Sequence, residues 1–157
     1  AVLSHTLAAV HASGLPWHLV RPESGTGGMG ESIAMGVRAT AEAAGWLILP
    51  GDLPLVQATT LRRVAEALAE QAIVVPRFHQ QQGHPVGFGH QYFHALASLQ
   101  GDVGAAAIVR EARVSGNVQD LPVADDGIVR DVDTRADLDL AQDLLRARRL
   151  QIDPHTR

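Results

Sequence analysis

The segment Trp46–Leu49 is the feature that most restricts the fold, because it is a short apolar run without polar alternation. Such runs are typical of strands that are buried on both faces of a parallel sheet. The run continues directly into Pro50-Gly51-Asp52, so an acid follows the end of the predicted strand. Ligands of α/β proteins bind outside the carboxyl ends of their strands. We therefore expect an α/β domain with Asp52 at the ligand-binding edge of its sheet.

Helix and strand patterns alternate along the rest of the chain. The spacing of apolar residues predicts helices at Val2–Ala12, Glu31–Ala44, Thr60–Glu70, Gln91–Leu99 and Gly104–Ala112. Further strands are predicted at Trp17–Val20, Ile73–Val75, Val86–Phe88, Val118–Val123 and Ile128–Val132. The last two flank an Asp-Gly turn, which indicates an antiparallel hairpin. This order predicts a mostly parallel, mixed sheet with helices on both faces.

The two ends of the chain give weaker signals. Gly14 is predicted to end the first helix, and Thr134 with Asp137 resembles a capping box that opens the last helix. A polar tail follows at Gln151–Arg157. The division predicted from these features is one domain at 1–150 and a tail at 151–157, which is an ordinary domain size.

Composition excludes several classes of protein. The 157 residues carry a net charge of −4 and no Lys, so a nucleic-acid partner is not expected. There is no Cys for a disulfide or thiolate site, and no apolar run approaches the roughly 20 residues that span a bilayer. A cytoplasmic protein without a membrane partner is the resulting expectation. Neither a phosphate-binding Walker loop nor a nucleophilic serine elbow is found.

Two acids at predicted strand ends are candidate metal ligands. Asp52 follows the first buried strand, and Asp133 lies between a predicted strand and the last helix. Mg²⁺ is commonly held by one or two carboxylates together with substrate phosphate oxygens. Taken singly, Asp52 has the alternative role of a turn residue, and Asp133 that of a helix-dipole partner.

Two further segments are candidate ligand contacts. The glycine-rich loop before the helix at Glu31 permits close approach to a base or phosphate, although a plain surface loop remains an alternative. On this interpretation, Gly30→Val weakens nucleotide binding more than stability. His84 lies in a constrained turn between Gly83 and Pro85, which favours ligand contact. His90 and His94 have helical spacing, but no Glu follows the first, so two surface histidines are favoured over a zinc site.

Five motifs taken in order resemble those of the MobA-like nucleotidyltransferases, with the cytidylyltransferases of molybdenum cofactor synthesis as the most similar branch. They are Gly28-Met29-Gly30-Glu31-Ser32-Ile33, Leu49-Pro50-Gly51-Asp52-Leu53-Pro54-Leu55-Val56, Gly83-His84-Pro85-Val86, Gly101-Asp102-Val103-Gly104-Ala105 and Asp131-Val132-Asp133-Thr134. The resemblance extends from Leu3 to Leu145. It implies a Rossmann-like, GT-A-type nucleotidyltransferase fold.

The resemblance also implies an activity and a set of site residues. The implied reaction transfers CMP from CTP to molybdenum-bound molybdopterin and releases pyrophosphate. Asp52 and Asp133 would be the catalytic residues and would hold Mg²⁺. Nucleotide-binding positions would be Gly28, Met29, Gly30, Glu31, Ser32, Pro50 and Gly51; substrate-binding positions would be Gly83, His84, Pro85 and Asp102. The recipient molybdoenzyme is a further implied partner.

One motif of the family does not match this sequence. Leu7-Ala8-Ala9-Val10 lacks the glycine of the family's first phosphate-binding loop, so we expect that loop and its strand to precede Ala1. The sequence leaves open a guanylyl or sugar-phosphate transferase, which would differ in nucleotide and acceptor. It also leaves open a molybdopterin-binding chaperone without catalysis.

Overall fold

A computed structural model of the chain describes residues 19–21 and 27–152. The helix predicted at Val2–Ala12, its end at Gly14 and the first half of the strand predicted at Trp17–Val20 lie outside these ranges. Leu19 and Val20, the second half of that strand, have no regular secondary structure. The predicted tail is described only at its first two residues, which belong to the last helix.

Apart from the added strand β3 and the segment 128–132, the described elements follow the predicted order. The helices are α1 (Met29–Ala39), α2 (Ala58–Leu68), α3 (Phe93–Ala97), α4 (Ala106–Val114) and α5 (Arg135–Ile152). The strands are β1 (Gly45–Ile48), β2 (Ile73–Phe78), β3 (Gln81–Gln82), β4 (Val86–Gly89) and β5 (Val118–Pro122). Short 3₁₀ helices occupy His90–Tyr92 and Asp126–Val129.

The sheet is mixed, as predicted, and β4 explains its mixture. β4 lies between β1 and β2 and is antiparallel to both, whereas β5 pairs in parallel with the other side of β2. Strands β1, β2 and β5 therefore run in one direction and β4 in the other. A tight connection through β3 joins β2 to β4, and such a connection returns the chain antiparallel to the strand it leaves. The start of β4 consequently lies at the edge where β1 and β2 end.

Helices cover both faces of the sheet, as the unalternating strand patterns predict. Ile73, Val75 and Phe88 belong to a buried cluster that includes residues of α1, α3 and α4. The intervening Val74 is fully buried outside that cluster, and on β4 the glycine at 87 faces Val64 of α2. Side chains of a strand alternate between faces, so β2 is apolar throughout because both of its faces are covered.

The prediction of a second hairpin strand at Ile128–Val132 is wrong. The chain forms a 3₁₀ helix at Asp126–Val129 instead. Asp125 is only 3% exposed, and its carboxylate accepts hydrogen bonds from the Gly127 N–H at 3.0 Å and the Thr60 hydroxyl at 2.6 Å. The backbone N–H of Gln57 donates to the same carboxylate at 2.9 Å. Donors from the start of α2 thus hold Asp125 inside the fold, which a two-residue hairpin turn would leave in solvent.

The predicted capping box at the start of α5 is confirmed. The Asp137 N–H donates to the Thr134 hydroxyl oxygen at 3.2 Å, and the Thr134 N–H donates back to the Asp137 carboxylate at 2.9 Å. The Thr134 hydroxyl also donates to that carboxylate, at 2.6 Å. These bonds lower the pKa of Asp137, with the hydroxyl of Thr134 as the largest cause. They fix the point at which the chain carrying Asp131 and Asp133 enters the helix.

Candidate functional site

A pocket of about 530 Å³ lies at the sheet edge where β1 and β2 end. Parts of four of the five sequence motifs line it, together with residues that the motifs do not include. The lining residues are Met29, Pro50, Asp52, Leu53, Gln81, Gln82, His84, Ile128, Val129 and Asp131. The arrangement agrees with the expectation that ligands bind beyond the carboxyl ends of the strands.

Two acid-bearing loops meet at this pocket. The Val132 N–H donates to the carbonyl oxygen of Asp52 at 2.9 Å, which ties the segment 131–133 to the turn after β1. Asp52 and Asp131 both line the pocket, and both side chains are exposed. Asp133 is two residues further along and is also exposed, but the lining acid from this segment is Asp131. The structure therefore adds Asp131 to the pair predicted from the sequence.

The chemistry of these donors fits a hard divalent cation. Mg²⁺ prefers carboxylate and phosphate oxygens and needs only one or two protein ligands when a substrate supplies the others. Asp52, Asp131 and Asp133 form no ion pair with another described residue, so their oxygens are available. Within residues 19–21 and 27–152, no group of three or more His, Asp or Glu side chains forms a complete metal site. Asp52 with Asp131 or Asp133 would therefore hold a cation jointly with substrate oxygens.

His84 contributes a half-buried imidazole to the pocket wall. Its backbone N–H donates to the Ile128 carbonyl oxygen at 3.0 Å, which fixes the turn before β4. Its side-chain Nδ1 is buried and has no hydrogen-bond partner among the described residues. Burial lowers the pKa of His84 and outweighs the upward effects of the Ile48 backbone and the Asp52 carboxylate. The ring is accordingly held in its neutral form near neutral pH.

The lowered pKa of His84 has a consequence for stability. The unfolded chain protonates this ring near pH 6.5, whereas the folded chain resists protonation to lower pH. Its contribution to the free energy of unfolding is thus fully present above about pH 6.5 and is lost as the pH falls through the folded pKa. We expect His84→Gln to lose stability less steeply than the wild type between about pH 7 and pH 5. Melting temperatures across that range check this, with His94→Gln as an exposed control; parallel curves for wild type and His84→Gln would contradict it.

Two of the first amides of α1 are bonded within the fold. The N–H groups of Gly30 and Glu31 donate to the Gly101 carbonyl oxygen, at 2.8 and 3.4 Å. Gly28 is packed against Gly101 and Asp102, and Gly30 against the carbonyl of Val103. Among residues 27–32, the described part of this loop and the helix start, Met29 is the residue that lines the pocket, and it is 59% exposed. The described part of the loop therefore contacts the pocket through this thioether, and Gly28 and Gly30 pack closely against residues 100–103.

This packing corrects the expected effect of a side chain at Gly30. A Cβ added there would stand 2.3 Å from the Val103 carbonyl oxygen, so backbone would have to move. We expect Gly30→Ala to lower the free energy of unfolding by about 1–3 kcal/mol. Gly36 lies in the same helix with no heavy atom within 4 Å of an added Cβ, so Gly36→Ala should gain about 0.5–1 kcal/mol. Urea unfolding of both variants checks this, and equal stability of the two would contradict it.

The remaining predicted residues lie around the pocket rather than in its wall. Gly51 is exposed, and an added Cβ there would meet open space. Gly83 is buried against Ile128, and Pro85 is among the fully buried side chains. Asp102 lies on the far side of the glycine loop, against Gly28. Gly83 and Pro85 thus position His84, and Asp102 supports the loop that carries Met29.

A larger concavity lies at the other end of the sheet. Its volume is about 750 Å³. Its walls include Gly45, the first residue of β1, and the residues directly before β2 and β5, Ala72 and Asn117. It is therefore at the amino ends of the parallel strands, and none of the acid motifs reaches it. Chemistry and topology favour the smaller pocket as the functional site.

A comparison with known families identifies the family of this chain. The model of the MobA-like NTP transferase domain matches residues 1–117, about three quarters of the chain. The chain belongs to this family. The match contains the glycine loop, the turn with Asp52, the turn with His84 and the 101–104 loop. The description of the family refers to transferases of nucleoside triphosphates.

Three solved structures from mycobacteria have a similar fold. Rv0371c of Mycobacterium tuberculosis is 28% identical, with a TM-score of 0.63 over 90% of this chain and 72% of that one. Its homologue from Mycobacterium sp. strain JC1 is 25% identical, with a TM-score of 0.63 over 74% of this chain. The chain covers 59% of that homologue's length. A manganese complex of Rv0371c is 25% identical, with a TM-score of 0.58 over 87% of this chain and 73% of that one.

Two further findings concern curated relatives and membrane-spanning helices. No protein with a curated description is similar enough to the chain to count as a match. Within the part of the chain that the structure describes, no helix has the length and apolar character needed to cross a bilayer.

Proposed function

We propose that the chain is the catalytic domain of a magnesium-dependent cytidylyltransferase. The proposed reaction transfers CMP from CTP to molybdenum-bound molybdopterin and releases pyrophosphate. The observation that carries this proposal is the meeting of Met29, Asp52, His84 and Asp131 around one pocket in a chain of the MobA-like family. A metal-dependent reaction is supported by the carboxylates of that pocket and by a relative whose structure is a manganese complex.

The acids at the pocket contribute to the proposed reaction by holding the cation. The acceptor's terminal phosphate attacks the α-phosphorus of CTP in line, and pyrophosphate departs on the opposite side. When bound, Mg²⁺ offsets negative charge on the phosphate oxygens. Asp52 and Asp133 would hold that cation. Asp131, two residues before Asp133, would lie next to it in the pocket wall. Positioning and electrostatics supply the rate enhancement, so no nucleophile from the protein is required.

The choice of CTP and molybdopterin rests on the third motif. Gly83-His84-Pro85-Val86 resembles the corresponding segment of the cytidylyltransferase branch, whereas guanylyl-transferring relatives differ there. The half-buried imidazole of His84 lies in the pocket wall, which supports a ligand-contact role for this segment. The cytoplasm is the proposed location, because a sequence without Cys fits a reducing compartment.

The experiment that tests the proposal compares nucleotides and acceptors. Calorimetry of the full chain with CTP, GTP, UTP and ATP in the presence of Mg²⁺ should give the tightest binding for CTP. Pyrophosphate release should then require both CTP and molybdopterin. Preference for another nucleotide would indicate a guanylyl or sugar-phosphate transferase, and molybdopterin binding without pyrophosphate release would indicate a carrier protein.

The two acids of the last motif can be separated by amide substitutions. We expect Asp133→Asn to reduce Mg²⁺-dependent turnover by only about tenfold, since an amide oxygen can still ligate the cation. Asp131→Asn serves as the matched comparison, because it is one of the pocket-lining acids. Steady-state pyrophosphate release at varied Mg²⁺ concentration measures both. A larger loss in Asp131→Asn than in Asp133→Asn would assign the metal to Asp131.

A further inference from the structure

The hairpin that joins β2 to β4 forms a fixed wall of the pocket. Gln81 and Gln82 pair with Phe78 and Arg77, and the Gly83 N–H donates to the Pro76 carbonyl oxygen at 2.9 Å. The Arg77 guanidinium donates to the Gln80 carbonyl across the turn. Backbone bonds on both sides of the two glutamines therefore hold them in place, although β3 is only two residues long.

The amide groups of these glutamines have no structural role within the described part of the chain. Both residues are exposed, both line the pocket, and neither side chain makes a hydrogen bond to another described residue. Exposed glutamines are common on turns, so exposure alone carries nothing. The informative feature is that the backbone is fixed while the amides are left free beside a ligand pocket.

The rest of the pocket wall indicates what the amides would meet. Met29 and the half-buried Val129 give apolar surface, with the buried Leu53 and Ile128 behind it, and such surface suits the face of a planar ring rather than a phosphate. The carboxylates of Asp52 and Asp131 supply the metal-binding part. A primary amide offers both a donor and an acceptor, and so matches a ring edge where a carbonyl neighbours an N–H or an amino group.

We propose that the Gln81–Gln82 hairpin hydrogen-bonds the heterocycle of the bound ligand and determines which heterocycle the pocket accepts. This inference rests on the proposed function, because it assumes that a nucleotide or pterin occupies the pocket. Both cytosine and a pterin carry the required ring edge. Since neighbouring side chains of a strand point to opposite sides, one glutamine should supply the recognising amide and the other should have little effect.

The test replaces each amide by a thioether of similar length. Gln81→Met and Gln82→Met are compared with Gln71→Met, an exposed glutamine at the opposite end of the sheet. Binding of CMP and of neopterin to the full chain is measured by calorimetry, without any need for turnover. One hairpin variant is expected to bind one of these ligands about tenfold more weakly, the size of one lost hydrogen bond. The control should bind as the wild type does.

The outcomes show which ligand supplies the heterocycle and whether the proposal holds. Weaker CMP binding with unchanged neopterin binding assigns the hairpin to the nucleotide base, and the reverse assigns it to the acceptor. Affinities within twofold of wild type for both ligands in both variants would overturn the inference, as would a wild type that binds neither ligand. A wild type that binds them but releases no pyrophosphate refutes the proposed function alone. Melting temperatures guard against misfolding, and Gln→Asn at the same position replaces any variant that is destabilised.

Discussion

Asp52→Asn is expected to reduce Mg²⁺-dependent pyrophosphate release by about 100- to 1,000-fold while leaving the melting temperature nearly unchanged. The substitution keeps the shape of the side chain and removes its charge. Asp52 is exposed in a turn. The hydrogen bond that joins this turn to Val132 is accepted by the backbone carbonyl of Asp52 and not by its side chain. The fold therefore does not depend on the carboxylate, whereas the proposed cation does.

The measurement is turnover at saturating nucleotide, together with the melting temperature. Asp139→Asn, an exposed acid on α5 away from the pocket, is the matched control and should retain full activity. Turnover of Asp52→Asn close to that of this control would remove Asp52 from the proposed metal site.

The largest loss of stability is expected from Asp125→Ala. Its buried carboxylate accepts hydrogen bonds from the Gln57 N–H, the Gln57 side-chain amide, the Thr60 hydroxyl and the Gly127 N–H. Removing the acceptor leaves these donors without a partner in a buried place. We expect the free energy of unfolding to fall by roughly 3–5 kcal/mol, since each orphaned group costs about 1–3 kcal/mol and water recovers part of the loss.

The neighbouring acid provides a control for this prediction. Asp126 pairs with Arg130 at 2.7 Å and Arg148 at 3.5 Å, but all three side chains are partly exposed. Surface pairs of this kind contribute about 1 kcal/mol or less, so Asp126→Ala should be mild. Urea unfolding of both variants gives the comparison. A loss at position 125 no greater than that at 126 would show that the buried network does not hold the fold together.

The sequence located Asp52 correctly because a local signal was enough. An apolar strand followed by a turn places the next residue at a predictable edge of an α/β sheet. His84 required a different argument, since it precedes its strand. Only the antiparallel insertion of β4 brings the start of that strand to the ligand edge. Its motif drew attention to it, whereas the rule about strand ends could not.

Other parts of the site were not predictable from local pattern. Asp125 was placed in a hairpin because an Asp-Gly pair favours one, and the donors that decide its burial lie about 65 residues earlier. Only the hydrogen bond from the Gly127 N–H to the Asp125 side chain is local enough to be predicted from the sequence. Gln81 and Gln82 form too short a strand for any periodicity. The packing of the glycines at 28 and 30 was not predictable because its partners lie some 70 residues away in sequence, and the nucleotide contact of these glycines stays a prediction.

The contact between the glycine loop and residues 100–103 has a consequence for engineering. The Gly101 carbonyl takes the place of a capping side chain at α1, and Gly101 adopts a φ of +54°, which few other residues tolerate. A loop of different length grafted at 100–103 would remove the cap of a distant helix and shift Met29 at the pocket mouth. A chimaera between this chain and a relative should therefore exchange the two segments together, as a single transferable module.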